Sequence, residues 1–78
     1  MKENALNRIV LDPEIMAGKP TIRGTRLTVE LILGLLAQDM AIEEIIKEYP
    51  RLTREDILAC LLFAHNAIAD TTFAPLSI

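Results

Sequence analysis

The chain has 78 residues, of which 51% are hydrophobic, and its net charge at pH 7 is −3. A chain of this length forms one domain (residues 1–78) with a small core, and its single cysteine, Cys60, excludes an intramolecular disulfide and a cysteine-based zinc site. So high an apolar content in so small a chain favours burial between two copies, and we expect a homodimer.

The sequence shows no signal for export or for membrane insertion. Residues 1–10 open with polar side chains and lack the apolar stretch of a signal peptide. The longest unbroken apolar run, residues 57–64, is far shorter than the roughly 20 residues that span a bilayer. We therefore expect a cytoplasmic protein with no membrane partner.

The charged residues are divided unevenly along the chain. Residues 1–27 carry five basic and three acidic side chains, a net charge of +2, whereas residues 28–78 carry three basic and eight acidic side chains, a net charge of −5. This polarity is typical of a protein with an oriented partner, although chance produces similar counts in a short chain.

Residues 8–27 are predicted to form a β hairpin of two or three short strands. The apolar run at 8–11 suits a strand, and it stops before Pro13 because proline cannot donate to a strand ladder. Residues 20–23 are the second extended candidate, and Gly24 begins the turn that follows, since glycine accepts a positive φ.

The hairpin contains a basic segment, residues 18–26, with three cations and two glycines. In an extended strand Lys19, Thr21 and Arg23 share one face, and we expect Lys19 and Arg23 to stay exposed. Ile22 points the other way and is predicted to anchor the hairpin to the core.

The basic segment has two interpretations. Arginine binds carboxylates and phosphates in a bidentate manner, which favours a binding surface for a protein partner or for nucleic acid. The candidate residues of that surface are Lys19, Arg23, Thr25 and Arg26. The alternative is a solvated turn whose cations balance Glu14 or Glu30.

Three helices are predicted over residues 28–69. Thr28 is the N-cap of the first, at 29–38, which is apolar nearly all round and is therefore expected to be buried on several sides. The second, at 42–49, has a single apolar stripe at i, i+3, i+4 and i+7. Ala41 before it is a poor cap, so we expect the start of this helix to fray.

The third helix has the clearest start signal. Thr53 and Asp56, three residues apart, form a capping box, and Leu52 with Ile57 forms the matching hydrophobic staple. The tail, residues 70–78, is predicted to be irregular. The sequence thus indicates a mainly α fold: a helix-turn-helix-like (homeodomain-like) bundle of three helices with a short N-terminal β hairpin.

The third helix is interpreted as core and interface rather than as a reader of DNA. A recognition helix presents its first residues to the major groove, and here Glu55 and Asp56 would face the phosphates. The apolar residues expected at an interface are Leu58, Leu62, Phe63, Phe73 and Leu76.

No catalytic constellation is apparent, so we do not expect an enzyme. Cys60 and His65 are five residues apart on one helix, about 140° around its axis, and do not face each other. Cys60 lies among leucines and is predicted to be an inert core thiol. The glycines match no phosphate loop, and no metal or cofactor is expected.

The sequence from about residue 8 to residue 66 resembles the domain-of-unknown-function 433 family. The resemblance is carried by Gly-Lys-Pro-x-Ile-x-Gly-Thr-Arg at residues 18–26, by Tyr-Pro at 49–50 and by Leu-Thr-x-Glu-Asp-Ile at 52–57. Two positions depart from the family pattern. Asp39 stands where a glycine is usual, and Ala41 stands where a serine or threonine cap is common.

The resemblance implies a homeodomain-like fold and a role as the antitoxin of a type II toxin–antitoxin pair, with a PIN-like nuclease as the toxin and operator DNA as a further partner. It suggests that Arg23 or Arg26 enters the metal-binding carboxylates of the nuclease, or that the apolar tail lies in a groove on it. The alternatives are a stand-alone DNA-binding regulator and a structural oligomerisation module.

Overall fold

The computed structural model describes residues 5–69, which form a two-stranded sheet followed by three helices. In chain order the elements are a 3₁₀ turn at Ala5–Arg8, β1 at Ile9–Val10, a 3₁₀ turn at Met16–Gly18, β2 at Thr21–Ile22, α1 at Val29–Ala37, α2 at Ile42–Glu48 and α3 at Arg54–Ala69. The predicted mainly α fold with a short N-terminal β hairpin is confirmed.

The hairpin is shorter than the sequence predicts, with two residues in each strand. The strands are antiparallel, and Ile9 lies opposite Ile22. Ile22 is buried in the core, as predicted. Thr21 is also buried, because β1 lies on one side of it and a bridge to Thr28, just before α1, lies on the other.

Helix α1 begins where its cap predicts. The hydroxyl of Thr28 accepts a hydrogen bond from the Leu31 amide at 3.0 Å. Only Val29 and Ile32 of this helix are fully buried, and its leucines are half-buried. The prediction that α1 is buried on several sides therefore holds for one face only.

Helix α2 is held at its start by a residue inside the helix. Ala41 has no side-chain acceptor, but the Glu44 carboxylate accepts a hydrogen bond from the Ala41 amide at 2.7 Å. One of the two bonds of a capping box is thus present, and the first turn is better supported than its alanine cap predicts. Ile45 fixes α2 to the core and has no exposed surface.

Helix α3 begins with the predicted capping box. The Thr53 amide donates to Asp56 Oδ2 at 3.0 Å, and the Asp56 amide donates to Thr53 Oγ1 at 3.2 Å. Leu52 and Ile57, the predicted staple, are both buried. The N-terminal 3₁₀ turn packs on α3, and Arg8 reaches the same aspartate from it.

The core contains residues from β2, from the three helices and from the link between α2 and α3. Its buried members are Ile22, Val29, Ile32, Ile45, Leu52, Ile57 and Cys60. None of the helices within residues 5–69 is both long enough and apolar enough to cross a membrane. The predicted interface residues Phe73 and Leu76 lie outside the described residues.

Candidate functional site

The four hairpin residues predicted to form a binding surface make different contacts in the structure. Lys19 Nζ lies 3.1 Å from Glu30 Oε1, so for this cation the balanced-turn interpretation applies. Arg23 Nε donates to the Asn7 carbonyl at 2.8 Å, which leaves an exposed side chain tied to the N-terminal turn. The Thr25 hydroxyl donates to the Ile22 carbonyl and accepts from the Leu27 amide, and it thereby shapes the turn.

Arg26 lines an open groove, to which Thr25 and Gly24 also contribute. The groove has a volume of about 610 Å³ and lies between the hairpin turn and the link from α2 to α3. Its apolar lining is Ile15, Leu27, Tyr49 and Pro50. Arg26, Arg51 and Glu48 contribute the charges, two positive and one negative.

The two arginines reach the groove from two different turns of the chain. Gly24 takes a φ of +81° and turns the chain so that Thr25 and Arg26 follow on the surface. Before α3, the Leu52 amide donates to the Tyr49 carbonyl at 2.9 Å, in a turn that leaves Arg51 exposed while Leu52 is buried.

Both arginine side chains are available to a ligand. Within residues 5–69 neither Arg26 nor Arg51 forms an ion pair or a side-chain hydrogen bond. Guanidinium groups above an apolar surface suit a carboxylate or phosphate that is attached to an apolar group. The groove is therefore the strongest candidate binding site among the described residues.

Sequence reasoning missed Arg51 and missed the groove itself. Two of the three segments that carry the family resemblance, residues 18–26 and the Tyr49-Pro50 pair, are distant in sequence yet both contribute to it. The available signal was that the first segment ends in an arginine and the second is followed by one. No local pattern shows that they meet.

The first turn of α3 exposes only one of the two acidic residues that were expected to face the phosphates of DNA. Asp56 is buried and its carboxylate lies 3.1 Å from Arg8 Nη1, so only Glu55 of the two acids is exposed to face a phosphate. Arg54 Nη1 lies 3.8 Å from Glu43 Oε2 across the α2–α3 turn.

Cys60 is a core thiol, as predicted. Burial, and then the nearby charge of Asp56, raises the pKa of Cys60 to about 12, so the thiol is protonated at neutral pH. His65 is exposed, with Nδ1 3.2 Å from Asn66 Oδ1. Residues 5–69 contain no cluster of three or more His, Cys, Asp or Glu residues arranged to hold a metal ion.

A second surface feature is an apolar face on α3. Leu58 and Leu62, both predicted at an interface, are exposed. Phe63 is half-buried and packs against the core instead. Leu61 and Ile68, which sequence reasoning did not single out, are also exposed. Their helical spacing from Leu58 was the signal that could have found them.

Comparison with known proteins identifies the family. Residues 9–64 match the family described as "Protein of unknown function (DUF433)". The chain is similar to a DUF433 member protein from Anabaena variabilis ATCC 29413, known from a crystal structure, with a TM-score of 0.76 and 28% sequence identity. The similarity covers 81% of this chain and 62% of that one, and no curated protein matches the sequence. The chain belongs to the DUF433 family of proteins of unknown function.

Proposed function

We propose that this protein is a non-enzymatic antitoxin of the cytoplasm, which neutralises a PIN-like nuclease by binding it through the groove. The observation that carries the proposal is that Arg26 and Arg51, which have no ion-pair or side-chain hydrogen-bond partner within residues 5–69, line the same partly apolar groove. The resemblance of residues 18–26 to a family regarded as antitoxins supplies the class of partner.

The chemistry of the groove suits the active site of such a nuclease. PIN-like nucleases bind divalent metal through clustered carboxylates. A guanidinium group forms two parallel, charge-assisted hydrogen bonds with one carboxylate, which competes with metal binding there. The apolar lining formed by Ile15, Leu27 and Tyr49 would receive an apolar side chain next to those carboxylates. Neutralisation then follows from loss of the metal or from blocked access of RNA.

Co-expression with the neighbour-encoded nuclease tests this proposal. In cells that the nuclease kills, the double variant Arg26→Ala plus Arg51→Ala should fail to restore growth. Each charge-assisted hydrogen bond contributes about 1.5–3 kcal/mol, so the purified double variant should bind the nuclease at least about a hundredfold more weakly.

The matched control is Lys19→Ala plus Arg54→Ala, which removes the same charge from exposed residues that lie outside the groove and already pair with Glu30 and Glu43. It should neutralise as well as the wild type. Full neutralisation by the groove variant would rule out this binding mode.

DNA binding by the hairpin is the second candidate, as a stand-alone regulator or in addition to nuclease binding. Lys19 and Arg23 favour it, because both side chains are exposed although Lys19 pairs with Glu30 and Arg23 donates to the Asn7 carbonyl. Affinity for operator DNA that falls steeply with salt, and falls further in the Lys19→Ala plus Arg23→Ala variant, would support DNA binding. If the protein binds neither the nuclease nor DNA, the remaining hypothesis is a structural oligomerisation module.

A further inference from the structure

Helix α3 has two apolar faces, and only one of them is covered within residues 5–69. The inner face holds Ile57 and Cys60 in the core. The outer face exposes four large aliphatic side chains, with exposed fractions of 44% for Leu58, 41% for Leu61, 37% for Leu62 and 58% for Ile68. A small water-exposed helix rarely displays such a row unless another surface covers it.

The spacing of the outer face is that of a helix that pairs with another helix. Leu58, Leu61, His65 and Ile68 follow one another at intervals of three, four and three residues, which are the a and d positions of a heptad. Leu62 flanks this seam. Residues 57–69 contain no charged side chain, so nothing on this part of the helix selects a charged partner.

We propose that two copies of this chain pair through the outer faces of α3, antiparallel about a twofold axis. A twofold axis brings identical surfaces together, and a charge-free seam is complementary to itself. When the two seams are aligned about their midpoints, Leu58 packs beside Ile68 of the partner subunit, and Leu61 packs beside His65 of the partner subunit. The pairing needs no nuclease and is independent of the antitoxin role proposed above.

Charge complementarity selects the antiparallel arrangement. The first turn of α3 carries Glu55 and Asp56, but its last turn has no basic residue to offset the partial negative charge of the helix C-terminus. Arg54 lies at the N-terminal end of the same seam, and its side chain is 58% exposed. An antiparallel pair brings Arg54 of each chain to the C-terminal end of the other helix. A parallel pair would instead bring the two Arg54 guanidinium groups together.

The mass of the full-length protein in solution is the first test. Sedimentation equilibrium should give twice the chain mass of 8.7 kDa. Leu58→Glu plus Leu62→Glu should give the single-chain mass and retain its helical circular dichroism. The control Leu11→Glu changes a side chain that is 63% exposed but lies outside α3, and it should remain a dimer.

Cysteine cross-linking tests the register and does not depend on disruptive glutamates. Residues 58 and 68 are about 15 Å apart along one helix, too far for a disulfide within a chain, which needs Cα atoms within about 7 Å. With diamide as the oxidant, Leu58→Cys plus Ile68→Cys should cross-link two chains, because each new thiol lies beside the other in the partner subunit. Neither single variant should do so, and the buried Cys60 of the wild type should not react.

Three outcomes would overturn the pairing. If the wild-type protein has the single-chain mass at tens of micromolar, the dimer is excluded. If a variant truncated after Ala69 then forms a dimer, the tail is the occupant of this face in the full-length protein. A dimer that survives the double glutamate substitution uses another surface. Cross-linking of a single cysteine variant would show parallel helices. Full neutralisation by the groove variant, with the dimer mass unchanged, would count against the proposed binding of the nuclease through the groove and leave the pairing intact.

Discussion

Asp56 joins three parts of the chain through one carboxylate. Oδ2 accepts from the Thr53 amide and caps α3, and Oδ1 accepts from Arg8 in the N-terminal turn. The Arg8 side chain is 28% exposed and the Asp56 side chain 12%, so water screens this pair only in part. A partly buried ion pair is costly to break on one side, because the remaining charge loses its partner.

We expect Asp56→Ala to lower the free energy of unfolding by about 2–3 kcal/mol, from the lost capping bond and the lost ion pair with Arg8 together. Urea denaturation monitored by circular dichroism measures the change. Glu55→Ala removes the neighbouring, exposed carboxylate and should change stability by no more than about 0.5 kcal/mol. Equal effects of the two substitutions would contradict this role of Asp56.

The local role of Asp56 was predictable, but its long-range partner was not. The capping box depends on a three-residue spacing that can be read in the sequence. The Arg8 contact joins residues 48 positions apart, and no local pattern encodes it. Thr21 shows the same limit, because alternation places it on the face of Lys19 and Arg23 but does not reveal its burial or its bridge to Thr28.

At the scale of elements, the turn between α1 and α2 contains both positions at which the sequence departs from the pattern of the family it resembles. Asp39 has a φ of +69°, in the left-handed region where a residue without Cβ is least strained. The glycine usual in the family suits that conformation, and aspartate tolerates it better than most residues. Ala41 takes the N-cap position, where a hydroxyl would accept from the first free amides of α2.

We expect Ala41→Ser to raise the free energy of unfolding by about 1 kcal/mol, because Glu44 already supplies the reciprocal bond and the serine hydroxyl would complete the box. Thermal unfolding and urea titration measure the gain. Ala37→Ser adds the same hydroxyl to another exposed alanine, at the last residue of α1, where no amide needs an acceptor. A similar gain there would show that capping is not the cause.

Helix positions were predictable because their signals are local. The caps at Thr28 and Thr53 mark the starts of α1 and α3 correctly, and Pro50 follows the end of α2 closely. The strands were predicted too long, since β1 and β2 have only two residues each and pairing partners are not visible in a single strand. The groove depends on two turns that meet in space, so its location required the structure.

At the scale of the whole molecule, dimerisation makes stability depend on concentration. If two chains unfold together, a tenfold increase in protein concentration stabilises the dimer by about 1.4 kcal/mol, which raises its Tm by about 3–5 °C at this size. Differential scanning calorimetry over a hundredfold concentration range measures the slope. The Leu58→Glu plus Leu62→Glu variant should show a Tm independent of concentration, and an equally flat wild type would contradict the pairing.

The packing of the N-terminal turn on α3 also sets when the protein can fold during its synthesis. Arg8 can pair with Asp56 only after Asp56 has been synthesised. At about 5–20 residues per second, the 48 residues that separate them take about 2–10 s to be made. During that time the hairpin exists without the helix that covers it. The nascent chain thus completes its core only when α3 emerges from the ribosome, so newly made protein passes through an interval in which proteases can reach it.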